Sequence, residues 1–324
     1  MRFGILSTAG IARKSMIPAI AESDHELVAV ASRNEEIARA FADDFDVEIL
    51  ETYGSYEALF DADVDAVYNP LPNALHAEWT RRAADAGLHV LCEKPMTVDA
   101  DEARAVFDYC EDAGVTVMEA FMYQFHPITD RTREIAANAL STIRNVRSQF
   151  TFSLADLDDI RVSPDLAGGS LMDVGCYPVS GIRGFLGEPR RVSAHALDTT
   201  DVGVDTEMAA RLEYDDAHAQ FLCGFDTPHR QSLRVEAENG WLEAEDVYNP
   251  GTSDVELTYS VDGQREMETI EGVDPYRLEV EAFADAVESG DEPPIDRDET
   301  IANMRVIDAL YESADRSESV TVSD

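Results

Sequence analysis

What most restricts this chain is an alternation. Over roughly the first 118 residues, short apolar runs are followed repeatedly by stretches of helical spacing. Residues 3–6 form an apolar run and 11–21 have helical spacing. Residues 26–31 read as a buried strand, and 34–43 as a helix with Asn34 as its N-cap. Residues 64–68 are a strand, and 73–86 a helix stopped by Gly87. A strand at 88–92, a helix at 99–113 stopped by Gly114, and a strand at 115–118 complete the series. Strands alternating with helices require right-handed βαβ crossovers, and hence a parallel sheet covered on both faces. The expected class is α/β, with a doubly wound nucleotide-binding (Rossmann) sheet.

After about residue 120 the pattern changes. A helix is predicted over 128–140, then period-two segments at 146–154, 191–198, 207–214, 219–225, 232–238 and 255–260. Tyr214-Asp-Asp-Ala217 and Glu238-Asn-Gly-Trp241 read as hairpin turns. Successive hairpins build a mainly antiparallel sheet, so this part is α+β. Helices return over 276–288 and 299–313, with Pro293-Pro294 between them. The predicted division is therefore 1–120, a Rossmann domain, and 121–324, an α+β domain. The last helices can pack back on the first domain.

Charge limits the partners. Sixty-six acidic residues face 25 basic ones, a net −41, and the only lysines are Lys14 and Lys94. Such a surface repels phosphate, which excludes a nucleic-acid binder and a protein of anionic membranes. The acids are spread through runs such as Asp43-Asp44, Asp156-Asp158-Asp159 and Glu243-Glu245-Asp246. They read as solvated faces, not metal sites. Self-repulsion of this size destabilises a compact fold unless salt screens it. The expectation is a cytoplasmic protein of a halophile with a salt-rich cytosol. No run approaches the roughly 18 apolar residues of a membrane span. Met1-Arg-Phe-Gly-Ile-Leu runs straight into a strand pattern with no signal peptide. Cys92, Cys110, Cys176 and Cys223 have no C-x-x-C spacing and read as buried thiols.

Three segments carry chemistry. The first βα turn, where a dinucleotide pyrophosphate sits in this architecture, reads Ser7-Thr8-Ala9-Gly10-Ile11-Ala12. It departs from G-x-G-x-x-G, with Ser7, Ala9 and Ala12 at the motif positions. They are small enough for close approach, although an ordinary tight turn would look the same. The second strand ends in Ser32-Arg33 with no carboxylate, which suits the 2′-phosphate of NADP better than the ribose hydroxyl of NAD. The alternative is a surface Arg33 paired with Glu35 or Glu36. Cys92-Glu93-Lys94-Pro95 follows a strand and holds one of the two lysines. An ammonium there can donate to a substrate hydroxyl or shift a neighbouring pKa. Lys14 reads instead as a helix-face residue. In Gly168-Gly-Ser-Leu-Met-Asp173-Val-Gly-Cys-Tyr177 the double glycine opens a helix, and Asp173 and Tyr177 share a face at i,i+4. A tyrosine beside an ammonium suits acid–base work.

These residues resemble the Gfo/Idh/MocA oxidoreductases over essentially the whole chain. The resemblance rests on Glu93-Lys94-Pro95, Asn73-x-x-His76, Glu119-Ala-Phe-Met-Tyr-Gln-Phe-His-Pro127, the Gly168–Tyr177 segment and the closing helices. It is nearest the branch of NADP-dependent D-xylose 1-dehydrogenases, dimeric dihydrodiol dehydrogenases and some sugar ketoreductases. The resemblance implies that Lys94 lies between nicotinamide and substrate, that Tyr177 is the acid/base and that Asp173 binds substrate hydroxyls. Leu71, Asn73, His76 and Glu93 would line the nicotinamide ribose. His76 also reads as a core histidine. Gln124 stands where this branch often has arginine.

The function expected is hydride transfer between NADP and a sugar carbon bearing a hydroxyl, an aldose giving a lactone. Tyr177 would take the hydroxyl proton, Lys94 would polarise the oxygen, and Arg161 would reach the substrate. Keto-sugar reduction or oxidation of a trans-dihydrodiol would use the same residues. A non-catalytic NADP-binding sensor and a tightly bound cofactor cycling between two sugars are further alternatives. The resemblance also implies a homodimer or homotetramer through the second domain's sheet.

Overall fold

The alternation builds a six-stranded, wholly parallel sheet. In chain order its elements are β1 (Arg2–Leu6), α1 (Ile17–Ala21), β2 (Glu26–Ala31), α2 (Glu35–Asp43), β3 (Glu51–Tyr53) and α3 (Tyr56–Leu59). Then follow β4 (Ala66–Asn69), α4 (Asn73–Asp85), β5 (His89–Glu93), α5 (Ala100–Ala113) and β6 (Val117–Ala120). The computed structural model describes residues 1–44 and 51–323. The strand order is β3-β2-β1-β4-β5-β6. The chain reverses direction across the sheet at β1, the point beside which such folds bind dinucleotides. Ile5, Leu6, Ala29, Val30, Val67 and Leu91 are each 0% exposed, as expected of strands covered on both faces. Helix ends follow the sequence signals. Asn34 Oδ1 accepts the Glu36 N–H at 2.8 Å, and Asp99 Oδ1 the Glu102 N–H at 2.7 Å. Gly114 ends α5 at φ +71°, a left-handed conformation that favours glycine.

The second part holds α6 (Pro127–Asn138), β7 (Ile143–Thr151), α7 (Cys176–Leu186), β8 (Arg191–Leu197), β9 (Glu207–Glu213) and β10 (His218–Gly224). It continues with β11 (Arg230–Ala237), β12 (Gly240–Glu245), β13 (Val255–Val261), β14 (Gln264–Ile270), α8 (Pro275–Ser289), α9 (Arg297–Arg316) and β15 (Val320–Thr321). The sheet has nine strands in the order β14-β13-β12-β11-β7-β10-β9-β8-β15. Both predicted hairpins form, Tyr214 N–H bonding Ala217 O at 3.1 Å and Ala237 pairing with Gly240. One pair is parallel, β7 with β10. Met208 and Leu212 on β9, Cys223 on β10, Val235 on β11 and Leu242 on β12 are each 0% exposed, and α6 and α7 pack on the sheet. The opposite face carries charge: Arg147 pairs with Glu236 at 3.0 Å, and Arg234 with Glu243 at 2.8 Å.

Edge strands β3, β14 and β15 lie outside the predicted set. An edge strand has less apolar surface to bury, and Gln-Arg-Glu-Met-Glu-Thr-Ile shows no apolar alternation. The compact units are Met1–Met122 with Tyr276–Ile301, and Tyr123–Pro275 with Ala302–Asp324. The chain is thus cut at Met122/Tyr123, and α8 counts with the first unit. Val280, Phe283 and Ala284 are each 0% exposed, with the Phe283 ring 6.2 Å from that of Phe3.

Candidate functional site

In the first unit β1 delivers Ser7 into the first turn at φ +124°, and Ser7 Oγ accepts the Ala9 N–H at 3.0 Å. Helical winding starts at Gly10, and the Arg13 N–H bonds back to Ala9 O at 3.2 Å. The amides of Gly10, Ile11 and Ala12 therefore open a helix, where backbone donors await an acceptor. A Cβ at Gly10 would meet nothing within 4 Å, so the turn is open there. Ala12 is buried, and its small side chain serves helix–strand packing. Thr8 and Ile11 are half-buried beside it. At the end of β2, Ser32 is buried and Arg33 is exposed. Glu35 pairs with Arg39 at 2.5 Å, and the Arg33 charge works against the rise that burial causes in the Tyr56 pKa. Lys14 is exposed on its helix.

β5 presents the Glu93-Lys94-Pro95 loop, with Lys94 half-buried. Three elements grip that loop. From β4, Tyr68 O–H donates to Glu93 Oε1 at 2.5 Å; the tyrosine is fully buried and its pKa raised well above the usual value, chiefly by burial. From β6, Glu119 Oε1 accepts the Met96 N–H at 2.9 Å. Burial pushes the Glu119 carboxyl up to about 7, against the pull of that N–H and of the Lys94 ammonium. From α4, His76 lies with Nδ1 2.8 Å from Pro95 O and Nε2 2.5 Å from Leu71 O. The ring is 1% exposed, and burial lowers its pKa to about 4, so the neutral ring donates to one carbonyl. Both nitrogens lie against main-chain oxygens inside the protein. His76 is a strut between the Leu71 and Pro95 loops. Leu71 is itself 5% exposed, while Asn73 at the head of α4 is half-buried.

In the second unit the double glycine approaches its own chain. A Cβ at Gly168 would lie 2.4 Å from Arg161 O, and one at Gly169 (φ +128°) 2.4 Å from Asp205 Oδ1. Leu171–Gly175 winds as a π-turn that runs into α7. The predicted i,i+4 pair therefore spans a change of winding, with Asp173 in the π-turn and Tyr177 in the α-helix. Arg161 Nε–H donates to Asp173 Oδ2 at 3.0 Å, and Arg161 Nη1–H to Asp159 Oδ1 at 3.1 Å. The structure thus brings Arg161 and Asp173 together. Tyr177 is 6% exposed, its ring 5.8 Å from Tyr123, 5.3 Å from Phe150 and 5.7 Å from Tyr248. Gln124 Nε2–H donates to Ser180 Oγ at 3.4 Å, and its Oε1 accepts from Arg133 Nη2–H at 3.2 Å.

The sequence alone assigns no role to Tyr68, Glu119 or Asp205. Glu119 does carry a signal, a carboxylate in an otherwise apolar strand. Asp205 has none, because its partners lie far away in the chain.

The family described as "Oxidoreductase family, NAD-binding Rossmann fold" matches residues 1–121, and the GFO/IDH/MocA C-terminal domain matches residues 132–243. The chain is 57% identical over 324 residues to D-xylose 1-dehydrogenase (NADP(+)) 2 of Haloferax volcanii, covering 99% of each. It is 31% identical over 259 residues to trans-1,2-dihydrobenzene-1,2-diol dehydrogenase of Mus musculus, covering 77% of this chain and 76% of that one. Among solved structures, the 3-ketoreductase KijD10 of Actinomadura kijaniata, in complex with NADP and TDP-benzene, matches with a TM-score of 0.91. The identity is 31%, over 97% of each chain. The chain belongs to the Gfo/Idh/MocA family of oxidoreductases.

Proposed function

We propose that this protein is an NADP-dependent sugar oxidoreductase, an aldose 1-dehydrogenase acting on a pentose or hexose of the D-xylose type and releasing a lactone. The observation that carries the proposal is the 57% identity, along the full length, to the D-xylose enzyme. Likeness to the dihydrodiol dehydrogenase and the ketoreductase is weaker, at 31% each, so those reactions are the second reading. The sensor reading is set aside because Lys94, Asp173 and Tyr177 are all kept.

The residues present fit NADP. The first turn offers open backbone amides from Gly10 with Ser7, Thr8, Ala9, Ile11 and Ala12 around them. Ser32 and Arg33 offer a hydroxyl and a guanidinium where a carboxylate would repel the 2′-phosphate. Asn73, Glu93 and the Leu71 loop would complete the nicotinamide side. When bound, NADP supplies the hydride acceptor.

The remaining work falls to the chain. Tyr177 takes the proton of the sugar hydroxyl. Lys94, which the family resemblance assigns to the nicotinamide side, is the proposed donor for the charge that develops in the reaction. Asp173 accepts from a neighbouring hydroxyl, and the Arg161 Nε–H holds that carboxylate in orientation. The charge of −41 supports a salt-rich cytosol as the working environment. The second unit's sheet, with a charged open face, is the proposed surface for a homodimer or homotetramer.

The test is a panel of sugars, keto-sugars and diols with NADP and NAD in molar KCl, followed at the nicotinamide band. Aldoses with NADP should give the highest kcat/KM. Lys94→Ala and Tyr177→Phe should each abolish most turnover while the protein stays folded. Near wild-type rates in either variant would overturn the assignment.

A further inference from the structure

We propose that Asp205 is a positioning residue that holds the Asp173–Tyr177 segment in register for the reaction. The inference rests on the functional reading above, in which those two side chains handle the sugar.

Asp205 lies in the connection between β8 and β9, with 8% of its surface exposed. Three donors converge on its carboxylate. Ser170 Oγ–H reaches Oδ2 at 2.7 Å, Leu171 N–H reaches Oδ2 at 2.8 Å, and Tyr311 O–H reaches Oδ1 at 2.9 Å. Its main-chain carbonyl accepts the Ser170 N–H at 2.7 Å. Two of the three side-chain bonds, and the main-chain bond, go to the first residues of the turn that carries Asp173 and Tyr177.

The close approach is built in. Any side chain at Gly169 would collide with Oδ1, so only glycine lets the carboxylate reach this depth. A π-turn is rare and occurs mostly as a single turn, frequently at functional sites. Here the amide that begins it is bonded by Asp205, with no water needed. Tyr311, arriving from α9, fixes the carboxylate from its other oxygen. Losing the Asp205 carboxylate releases Ser170 Oγ and the Leu171 N–H and leaves only the main-chain bond to the Ser170 N–H, so the turn can rewind. A displacement of about 1 Å in Asp173 or Tyr177 is enough to cost on the order of a hundredfold in rate.

The test compares Asp205→Ala, Asp205→Asn and Tyr311→Phe with wild type in molar KCl. Three quantities are read: kcat and KM for the best aldose, NADP affinity by nicotinamide fluorescence, and amide hydrogen exchange across residues 170–177. Asp205→Ala should lose about a hundredfold in kcat/KM, with kcat falling, while NADP affinity stays within about twofold. Exchange should accelerate in 170–177 and stay unchanged in the parallel sheet. Asp205→Asn keeps an acceptor for Leu171 N–H and should recover most of the loss, a rescue that a bulk stability role would not produce. If Asp205→Ala does not fold, the exchange and kcat of Asp205→Asn and Tyr311→Phe decide, each expected between wild type and loss. Wild-type exchange over 170–177 in Asp205→Ala, or in Tyr311→Phe where Asp205→Ala does not fold, overturns the proposal, as does unchanged kcat/KM in that variant. If wild type itself oxidises no sugar, the functional reading has failed, and the exchange pattern alone judges whether Asp205 holds the turn.

Discussion

Glu119→Gln probes the electrostatics beneath the Lys94 loop. Glu119 is 2% exposed on β6, and its Oε1 accepts the Met96 N–H at 2.9 Å. Burial is the largest influence on the carboxyl and raises its pKa from 4.5 to about 7. The fold therefore prefers the protonated form. The folded pKa lies above the unfolded one, so this stabilisation is fully present below about pH 4.5 and is lost as pH rises through about 7. The gap between the two values is worth about 3 kcal/mol once both states are ionised. Glutamine keeps an acceptor for the Met96 N–H and cannot ionise. Relative to wild type, it should gain about 1 kcal/mol at pH 5.5 and about 3 kcal/mol at pH 8. Urea unfolding in molar KCl measures this, read at Trp79 in a Trp241→Phe background so that the first unit alone reports. A gain that does not grow between those two pH values, or a variant less stable than wild type at pH 8, would refute the reasoning.

Four other outcomes are expected. Gly169→Ala should cost at least about 3 kcal/mol, combining backbone strain at φ +128° with the Asp205 contact; denaturation showing a loss below about 1 kcal/mol would contradict it. Tyr68→Phe, which strips the buried donor from Glu93, should lower stability by about 1.5–3 kcal/mol by the same urea assay. Arg33→Ala should weaken NADP about tenfold or more and leave NAD binding unchanged, as titration of each cofactor will show. Dialysis into millimolar buffer should lower the melting temperature sharply, and restoring KCl should recover it; a salt-independent transition would argue against screening of the −41 charge.

Much of this architecture is written in local pattern. Runs such as Glu-Leu-Val-Ala-Val-Ala mark strands covered on both faces, and Asn34, Asp99 and Gly114 mark helix ends through bonds made within a few residues. The Asn-Gly turn announces its hairpin in the same way. Lys94, Asp173 and Tyr177 stand out because lysine is nearly absent from the chain and because chemistry-bearing side chains recur beside glycines. These signals are short-range, and hydrophobic periodicity encodes which face is buried without naming what buries it.

Other features depend on which distant segments meet. His76 is decided by Leu71 and Pro95 carbonyls that only the packed α4 and β5 bring to its two nitrogens. Glu93 is held by a tyrosine 25 positions earlier, and Ser170 by a carboxylate 35 positions later. The assignment of Tyr276–Ile301 to the first unit follows from apolar surface that the parallel sheet leaves for it. The α/β and α+β halves are legible in the chain alone, and so are the candidate side chains Lys94, Asp173 and Tyr177, because periodicity and turn chemistry act over a few residues. Tertiary structure alone decided what holds those side chains still, because a hydrogen-bond partner is a fact about space, and chain separation does not predict it.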